Sequence, residues 1–171
     1  MECKLYTSDI KNIDLNINKL KEKLKDLSIP LTDFEKYYKG IITKNYYTDG
    51  KLFTDSGWVK YKDDYYEKKM DWVLKKKVMS NGLKATRMEK LRLTDYMRKK
   101  VMSKDSVKVS KDKIEYIVNV VYANTHQFGR GHIPARPFLF RNDTKGGLRK
   151  QDLTMLQKIL EKYLRYEEAE K

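Results

Sequence analysis

The sequence predicts an α+β fold, in which a small antiparallel β-sheet is flanked by helices. Around residues 105–121, apolar and polar side chains alternate on both sides of a polar turn, which is the pattern of a β-hairpin. The flanking segments repeat apolar residues every three or four positions, as amphipathic helices do. With 171 residues the chain has the length of one domain that buries its own core.

Residues 13–27 predict the first helix, with lysines on its polar face. This narrow stripe should pack against one partner, either its own domain or a neighbouring subunit. Pro30 is expected to end the helix. We therefore expect an N-terminal helical extension over residues 1–30 and a single α+β domain over residues 31–171. The stripe consists of Ile13, Ile17, Leu20, Leu24 and Leu27.

A capping box predicts the start of the second helix, because Thr32 and Glu35 have the spacing at which each side chain caps the other's backbone N–H. The helix should run to about residue 47. Residues 94–102 predict a later, short helix with Thr94 as its N-cap.

Residues 63–78 predict a helix that begins with two aspartates and ends with three lysines, which complements the helix dipole at both ends. Its buried side should include Tyr66, Met70 and Val73. Aromatic residues interleaved with lysines can also stack on single-stranded nucleic acid, but packing in a core or subunit interface is the favoured interpretation. The aromatic residues concerned are Tyr61, Tyr65, Tyr66, Trp72 and Tyr96.

In the predicted hairpin, Val107 and Val109 alternate with polar residues before the turn, and a second alternating run begins at Ile114. Residues 122–128 predict a short helix that Gly129 stops. Residues 150–165 predict the closing C-terminal helix. Its buried stripe should comprise Leu153, Leu156, Leu160, Tyr163 and Leu164.

The positive charge of the chain is concentrated in two blocks. The net charge is +14, and residues 60–104 hold 15 basic and 6 acidic side chains, while residues 129–150 hold 6 and 1. Such segregation predicts a polyanionic neighbour, either nucleic acid or an acidic protein surface, although ordinary solubility is an equally good explanation.

The sequence does not predict an enzyme. His126 and His132 lack a metal-binding spacing, Cys3 has no partner cysteine, and no phosphate-binding glycine loop is present. We therefore expect no catalytic residue, no metal and no cofactor. The start of the chain does not resemble a secretory signal, and no apolar run is long enough to cross a bilayer, so we expect no membrane association.

The segment QFGRGHIPARPFLF, residues 127–140, is too broken for a helix and too apolar for a solvated loop. Pro134 and Pro137 stiffen it and hold Arg136 between them. Such a Pro-rich extended arm, with Phe138 to Phe140 at its tip, suits docking, because part of its ordering entropy is already lost. The alternative is a long internal loop packed on its own domain.

This segment resembles the bacteriophage virion-morphogenesis (tail-completion) family, which includes Mu-type and P2-type tail-completion proteins. The similarity covers about residues 34–165, and Gly57-Trp58 is similar to the family's G.W element. Asp95 stands where the family's TG.L step has its glycine, and Phe140 also replaces a usual glycine. The residues that carry the resemblance are Tyr122-Ala123, His126-Gln127-Phe128-Gly129 and Ile133-Pro134-Ala135-Arg136-Pro137-Phe138-Leu139.

The resemblance implies a structural role in tail completion or head–tail joining, as a subunit of a ring around the DNA channel at the head-proximal end of the tail. It implies a homo-oligomer, commonly a hexamer, that meets other neck, tail-terminator and tail-tube proteins. The protein would be assembled in the bacterial cytoplasm and reside in the virion. The alternative function is a small basic nucleic-acid-binding protein that acts alone.

In such a ring, two sets of residues are expected to make contacts. The arm should dock on a neighbouring subunit through Phe128, Ile133, Pro134, Arg136, Pro137, Phe138, Leu139 and Phe140. A second set is expected to face packaged double-stranded DNA or an acidic partner, and it comprises Lys75, Lys76, Lys77, Arg98, Lys99, Lys100 and Arg130.

Overall fold

The computed structural model describes residues 17–79, 82–88, 90, 95–142 and 147–165. These residues form an α+β fold with one two-stranded antiparallel sheet, as the sequence predicts. The first helix, α1, is described over residues 17–25, so Ile13 lies outside the described residues. The remaining elements, in chain order, are α2 (Ser28–Tyr47), α3 (Asp63–Leu74), α4 (Tyr96–Met102), a 3-10 turn (Lys104–Ser106), β1 (Val107–Val109), β2 (Ile114–Tyr116), α5 (Ala123–Phe128) and α6 (Lys150–Arg165).

Helix α2 is the centre of the core. Its residues at every fourth position turn inward, and helices α4 and α6, strand β1 and the segment after α5 pack around them. The spacing explains why one face of a mostly polar helix is buried. The inward residues are Phe34, Tyr38, Ile42 and Tyr46.

The start of α2 corrects the predicted capping box. The helix begins at Ser28, whose N–H donates to Asp26 Oδ1 at 2.9 Å, and the Thr32 hydroxyl donates to the Ser28 carbonyl at 2.7 Å inside the helix. Glu35 instead pairs with Lys39. Pro30 therefore lies in the first turn of α2, where a missing N–H costs nothing. The predicted domain boundary at residues 30 and 31 falls inside this helix.

The hairpin is confirmed, although its second strand is shorter than expected. The register pairs Val107 with Tyr116, Lys108 with Glu115 and Val109 with Ile114. The ladder ends at Tyr116, and the chain then turns into α5. The predicted helices at 122–128 and 150–165 are both present. Leu153 of α6 is exposed, so the N-terminal end of the predicted buried stripe is wrong.

Helix α3 differs most from its prediction. It ends at Leu74, because Lys76 adopts a left-handed conformation with φ of 47°. Its buried side chain is Lys69, whereas Tyr66 and Met70 are exposed. The short helix α4 begins after Asp95, whose φ is also positive, and the predicted cap Thr94 lies outside the described residues.

Candidate functional site

The segment after α5 is threaded into its own domain rather than projecting from it. Gly129 starts the turn with φ of +76°, and a Cβ at this position would lie 2.9 Å from the backbone nitrogen of Ala135. A glycine is therefore required for the chain to double back here. Arg130 and Ile133 then close a tight bridge with two backbone hydrogen bonds of 3.0 Å.

The carbonyl of Pro137 is the point at which the segment is anchored to the core. It accepts hydrogen bonds from Asn45 Nδ2 at 3.1 Å and from Trp58 Nε1 at 2.8 Å. All three residues are buried. Next to them, the ring of Phe138 is 1% exposed and lies 6.2 Å from the ring of Tyr46. This anchor joins α2 and the Trp58 loop to the segment.

Gln127, the penultimate residue of α5, clamps the same segment from the other side. Its Oε1 accepts the backbone N–H groups of Phe138 and Leu139, both at 3.1 Å. Its Nε2 donates to the Phe140 carbonyl at 2.8 Å and to Asn142 Oδ1 at 2.7 Å. One buried amide thus satisfies the backbone of a stretch that pairs with no strand in the described part of the chain.

Arg136 is held inside the domain beside an aromatic ring. Its backbone N–H donates to the His126 carbonyl at 2.6 Å, and its guanidinium carbon lies 5.1 Å from the centre of the Tyr61 ring. Lys69 Nζ lies 4.7 Å from the same ring and donates to the Met88 carbonyl at 2.7 Å. Two buried cations therefore share one tyrosine, which links α3 to the segment.

These contacts correct part of the predicted subunit interface. Arg136, Pro137 and Phe138 are buried in their own domain, so their side chains offer no docking surface. The physical reason is that each finds its partners inside the domain: Phe138 packs on Tyr46, the Pro137 carbonyl accepts two buried hydrogen bonds, and Arg136 lies beside Tyr61. The others remain at least partly accessible: Phe128 is exposed, and Ile133, Pro134, Leu139 and Phe140 are half-buried.

Leu139 and Phe140 line an open apolar groove of about 420 Å³ between α2, the hairpin and α6. Tyr38 of α2 also lines the groove, and its hydroxyl donates a hydrogen bond to the Leu139 carbonyl at 3.0 Å. The tip of the predicted arm therefore forms a wall of this groove, and its backbone is fixed by α2.

The predicted DNA-facing residues lie on three separate elements. Lys75, Lys76 and Lys77 follow the end of α3; Lys75 pairs with Asp71 at 2.7 Å, and Lys77 Nζ lies 4.9 Å from the centre of the Trp72 ring. All three lysines are exposed.

The second group lies on α4. Arg98 donates to the Asp95 carboxylate through two nitrogens, so the pair carries no net charge with which to attract a phosphate. The Arg98 guanidinium carbon lies 6.0 Å from the centre of the Tyr47 ring. Lys99 and Lys100 are exposed at the end of the helix, with Lys100 Nζ 5.7 Å from the Tyr96 ring. Arg130, in the glycine turn, is exposed and belongs to neither group.

Sequence reasoning did not identify Asn45, Tyr38 or Trp58 as the partners of the segment. Asn45 carried a signal that could have been noticed, since a polar residue that follows Tyr38 and Ile42 at helical spacing sits on a buried face and must find hydrogen bonds there. It finds three, because its Oδ1 also accepts the N–H groups of Leu52 and Phe53.

No metal site is formed within the described ranges: no three His, Cys, Asp or Glu side chains there stand close enough to hold an ion. None of the helices described in the chain is long and apolar enough to cross a membrane.

Acid should destabilise the fold through His126. Burial, with the Arg136 guanidinium nearby, lowers the pKa of His126 to about 4 from 6.5. Between these values the unfolded chain binds a proton that the folded chain does not, so stability is full above pH 6.5 and falls as the pH drops to about 4. Urea unfolding at a series of pH values should show this loss, and His126→Gln should weaken it. His132→Gln, at an exposed position, should keep the wild-type loss; an unchanged profile in His126→Gln would contradict the assignment.

The chain was compared with protein families, curated proteins and solved structures. No protein-family model matches the chain, no curated protein matches it, and no solved structure matches it.

Proposed function

We propose that this protein is a structural component of a bacteriophage virion that acts in tail completion or head–tail joining, as a subunit of a ring at the head-proximal end of the tail. It is not an enzyme and carries no cofactor. Six copies surround the DNA channel and contact other neck, tail-terminator and tail-tube proteins. The resemblance of the 122–139 segment to the tail-completion family is the starting point for this proposal.

One observation carries it. The resemblance joins two stretches far apart in sequence, and these stretches meet in space: Trp58 of the Gly57-Trp58 pair donates directly to the Pro137 carbonyl of IPARPFL. Gln127 and Gly129 of the same set hold the segment in place. The residues that resemble the family thus form one structural unit, as a shared fold would require, and this contact supports the proposal.

The surface charge supports a position beside DNA. Lys76, Lys99 and Arg130 are exposed cations, and repeating them around a ring would concentrate positive potential towards phosphates, whatever the base sequence. The second candidate, a stand-alone nucleic-acid-binding protein, is favoured by the surface pairs of a cation and an aromatic ring, Lys77 with Trp72 and Lys100 with Tyr96.

Loss of the protein should leave full heads and finished-looking tails that do not join, or tails that stay incomplete. The measurement is electron microscopy of lysates from a phage that lacks this chain, with and without the chain supplied from a plasmid. Mass spectrometry of purified wild-type particles should detect several copies in the neck. Normal particle yield without the chain, or its absence from particles, would exclude the structural role and leave the stand-alone binder.

A further inference from the structure

Two amphipathic helix faces are left outside the core, and both are unusual for a protein surface. On α1, Ile17, Leu20 and Leu24 are between 41% and 52% exposed. On α3, Tyr66, Met70 and Leu74 are between 42% and 75% exposed. Scattered exposed apolar residues need no explanation, but stripes of three at helical spacing indicate surfaces that become covered.

Helix α1 is attached to the domain in a way that leaves its stripe open. Near its end, Lys23 Nζ lies 3.4 Å from the Tyr163 carbonyl, and the Tyr163 hydroxyl lies 3.4 Å from the Asp26 carbonyl, so α1 is tied to α6. Residues 17–25 contain four lysines and one glutamate. Lys21 lies four residues after Ile17 and three before Leu24, so it stands beside the apolar stripe, and Lys25 follows it at a step of four; both are exposed and form a basic row along the stripe.

Helix α3 has the opposite charge pattern. Its inner side is fixed by buried Lys69, and its outer side carries the stripe. Asp63, Glu67 and Asp71 follow at steps of four, each three residues before a member of the apolar row and therefore beside it, and all are exposed. Asp71 pairs with Lys75, while Asp63 and Glu67 make no ion pair with a described residue.

We propose that α1 of one copy packs against α3 of the next copy in the ring, with the two apolar stripes in contact and the lysine row of α1 beside the acidic row of α3. The charges match: the exposed side chains of α3 include four acidic residues and only Lys68 as a cation. Pairing α1 with α1 would bring lysines together, and pairing α3 with α3 would bring two acidic rows into one interface. The attraction is therefore between different surfaces.

A contact between different surfaces of identical chains repeats from copy to copy and closes into a ring when the rotation permits. The inference rests on the proposed function in one respect, since it supplies the subunit contact that a ring needs. The helices are about 14 Å and about 18 Å long, so a single contact is small and weak. Closure strengthens it, because every copy in the ring makes two such contacts.

Two variants, each blocking one surface, test this arrangement in sedimentation velocity experiments on the full chain at concentrations up to about 200 µM, where weak contacts are populated. The first carries Leu20→Glu and Leu24→Glu; the second carries Met70→Gln and Leu74→Gln, so that the two blocked surfaces carry no opposite charges that could pair in a mixture. All four positions are exposed, so both variants should fold, which circular dichroism and urea unfolding verify. The matched control is Leu153→Glu, at a leucine that is 52% exposed on α6.

The wild type and the control should form species larger than a monomer, increasingly so with concentration, and each variant alone should stay monomeric. An equimolar mixture of the two variants should stop at a 1:1 heterodimer, because only the intact α3 of the first and the intact α1 of the second can meet. A dimer formed from two variants that are each monomeric alone is expected for contact between different surfaces and not for contact between identical ones.

Three results would overturn the inference: a mixture that stays monomeric while the wild type assembles, either variant assembling alone, or a wild type that is monomeric throughout the range. None of them bears on whether the chain is present in virion necks, so the proposed function is tested separately. If the chain is absent from virions and the heterodimer still forms, the contact stands and the proposed function falls.

Discussion

Phe138→Ala should lower the free energy of unfolding by about 3–5 kcal/mol, the usual cost of removing a buried phenylalanine ring. The ring is 1% exposed and lies against Tyr46, next to the Pro137 carbonyl to which Asn45 and Trp58 bind. The cavity would open where α2 and the segment meet, so neighbouring side chains cannot easily close it. Urea unfolding followed by circular dichroism measures the change as a lower midpoint with a similar slope.

Phe128→Ala is the matched control, since it truncates the same residue type at the other end of the same segment. Phe128 is 56% exposed, and its ring contact with Phe140 has a centroid distance of 5.9 Å. A change of no more than about 1 kcal/mol is expected for such a surface site. Equal and small effects of the two substitutions would mean that the segment is a free docking arm after all.

Gln127→Leu should have the second large effect, because four hydrogen bonds are lost at a buried side chain. The N–H groups of Phe138 and Leu139 would remain in the interior without an acceptor. Each unsatisfied buried group costs about 1–3 kcal/mol, so a loss of about 2–6 kcal/mol is expected for the pair. Urea unfolding gives the total, and hydrogen exchange should show the amides of residues 138 and 139 losing protection first.

Gln157→Leu provides the comparison for this substitution. Gln157 is exposed on α6, and among the described residues its side chain donates to Glu161 alone, at 2.9 Å, within its own helix. Its replacement should leave stability within about 0.5 kcal/mol of the wild type. If Gln127→Leu behaves like Gln157→Leu, the amide does not clamp the segment.

Both large effects matter for experiments on assembly. A domain of this size is stable by about 5–15 kcal/mol, so either substitution removes a substantial part of that margin. A failure of heads and tails to join in a Phe138 or Arg136 variant would then report lost folding as readily as a lost contact. The exposed stripes on α1 and α3 are the better targets, because changing them leaves the core intact.

Elements with a strong local pattern could be predicted from the sequence. The alternation around Ile114 predicted the hairpin, and the stop at Gly129 ended α5 where expected. The start of α2 was missed, because Asp26 at the Ser28 N–H competes with the Thr32 box for the same role and lies nearer the end of α1. The spacing of capping residues does not show which of two candidate caps begins the helix, because contacts with distant parts of the chain decide it.

The periodicity of α3 predicted that its apolar residues are buried, and the stiffness of residues 134–137 fitted both docking on a neighbour and packing on the same domain. Periodicity shows that residues share a face but does not show which way the face points. In α3 the inward direction is set by Lys69, which reaches Tyr61 and the Met88 carbonyl, and no apolar pattern signals a buried lysine.

The amino-acid sequence alone specified the α+β class, the helix and hairpin segments, the positions where glycine and proline bend or stiffen the chain, and the segregation of charge. These depend on backbone sterics and on neighbours within a few residues. Which partner the stiff segment has, and which apolar stripes remain exposed, became known only from the tertiary structure. Those outcomes depend on contacts between residues as distant as Asn45 and Pro137, where burial and hydrogen bonding are settled jointly by elements far apart in the chain.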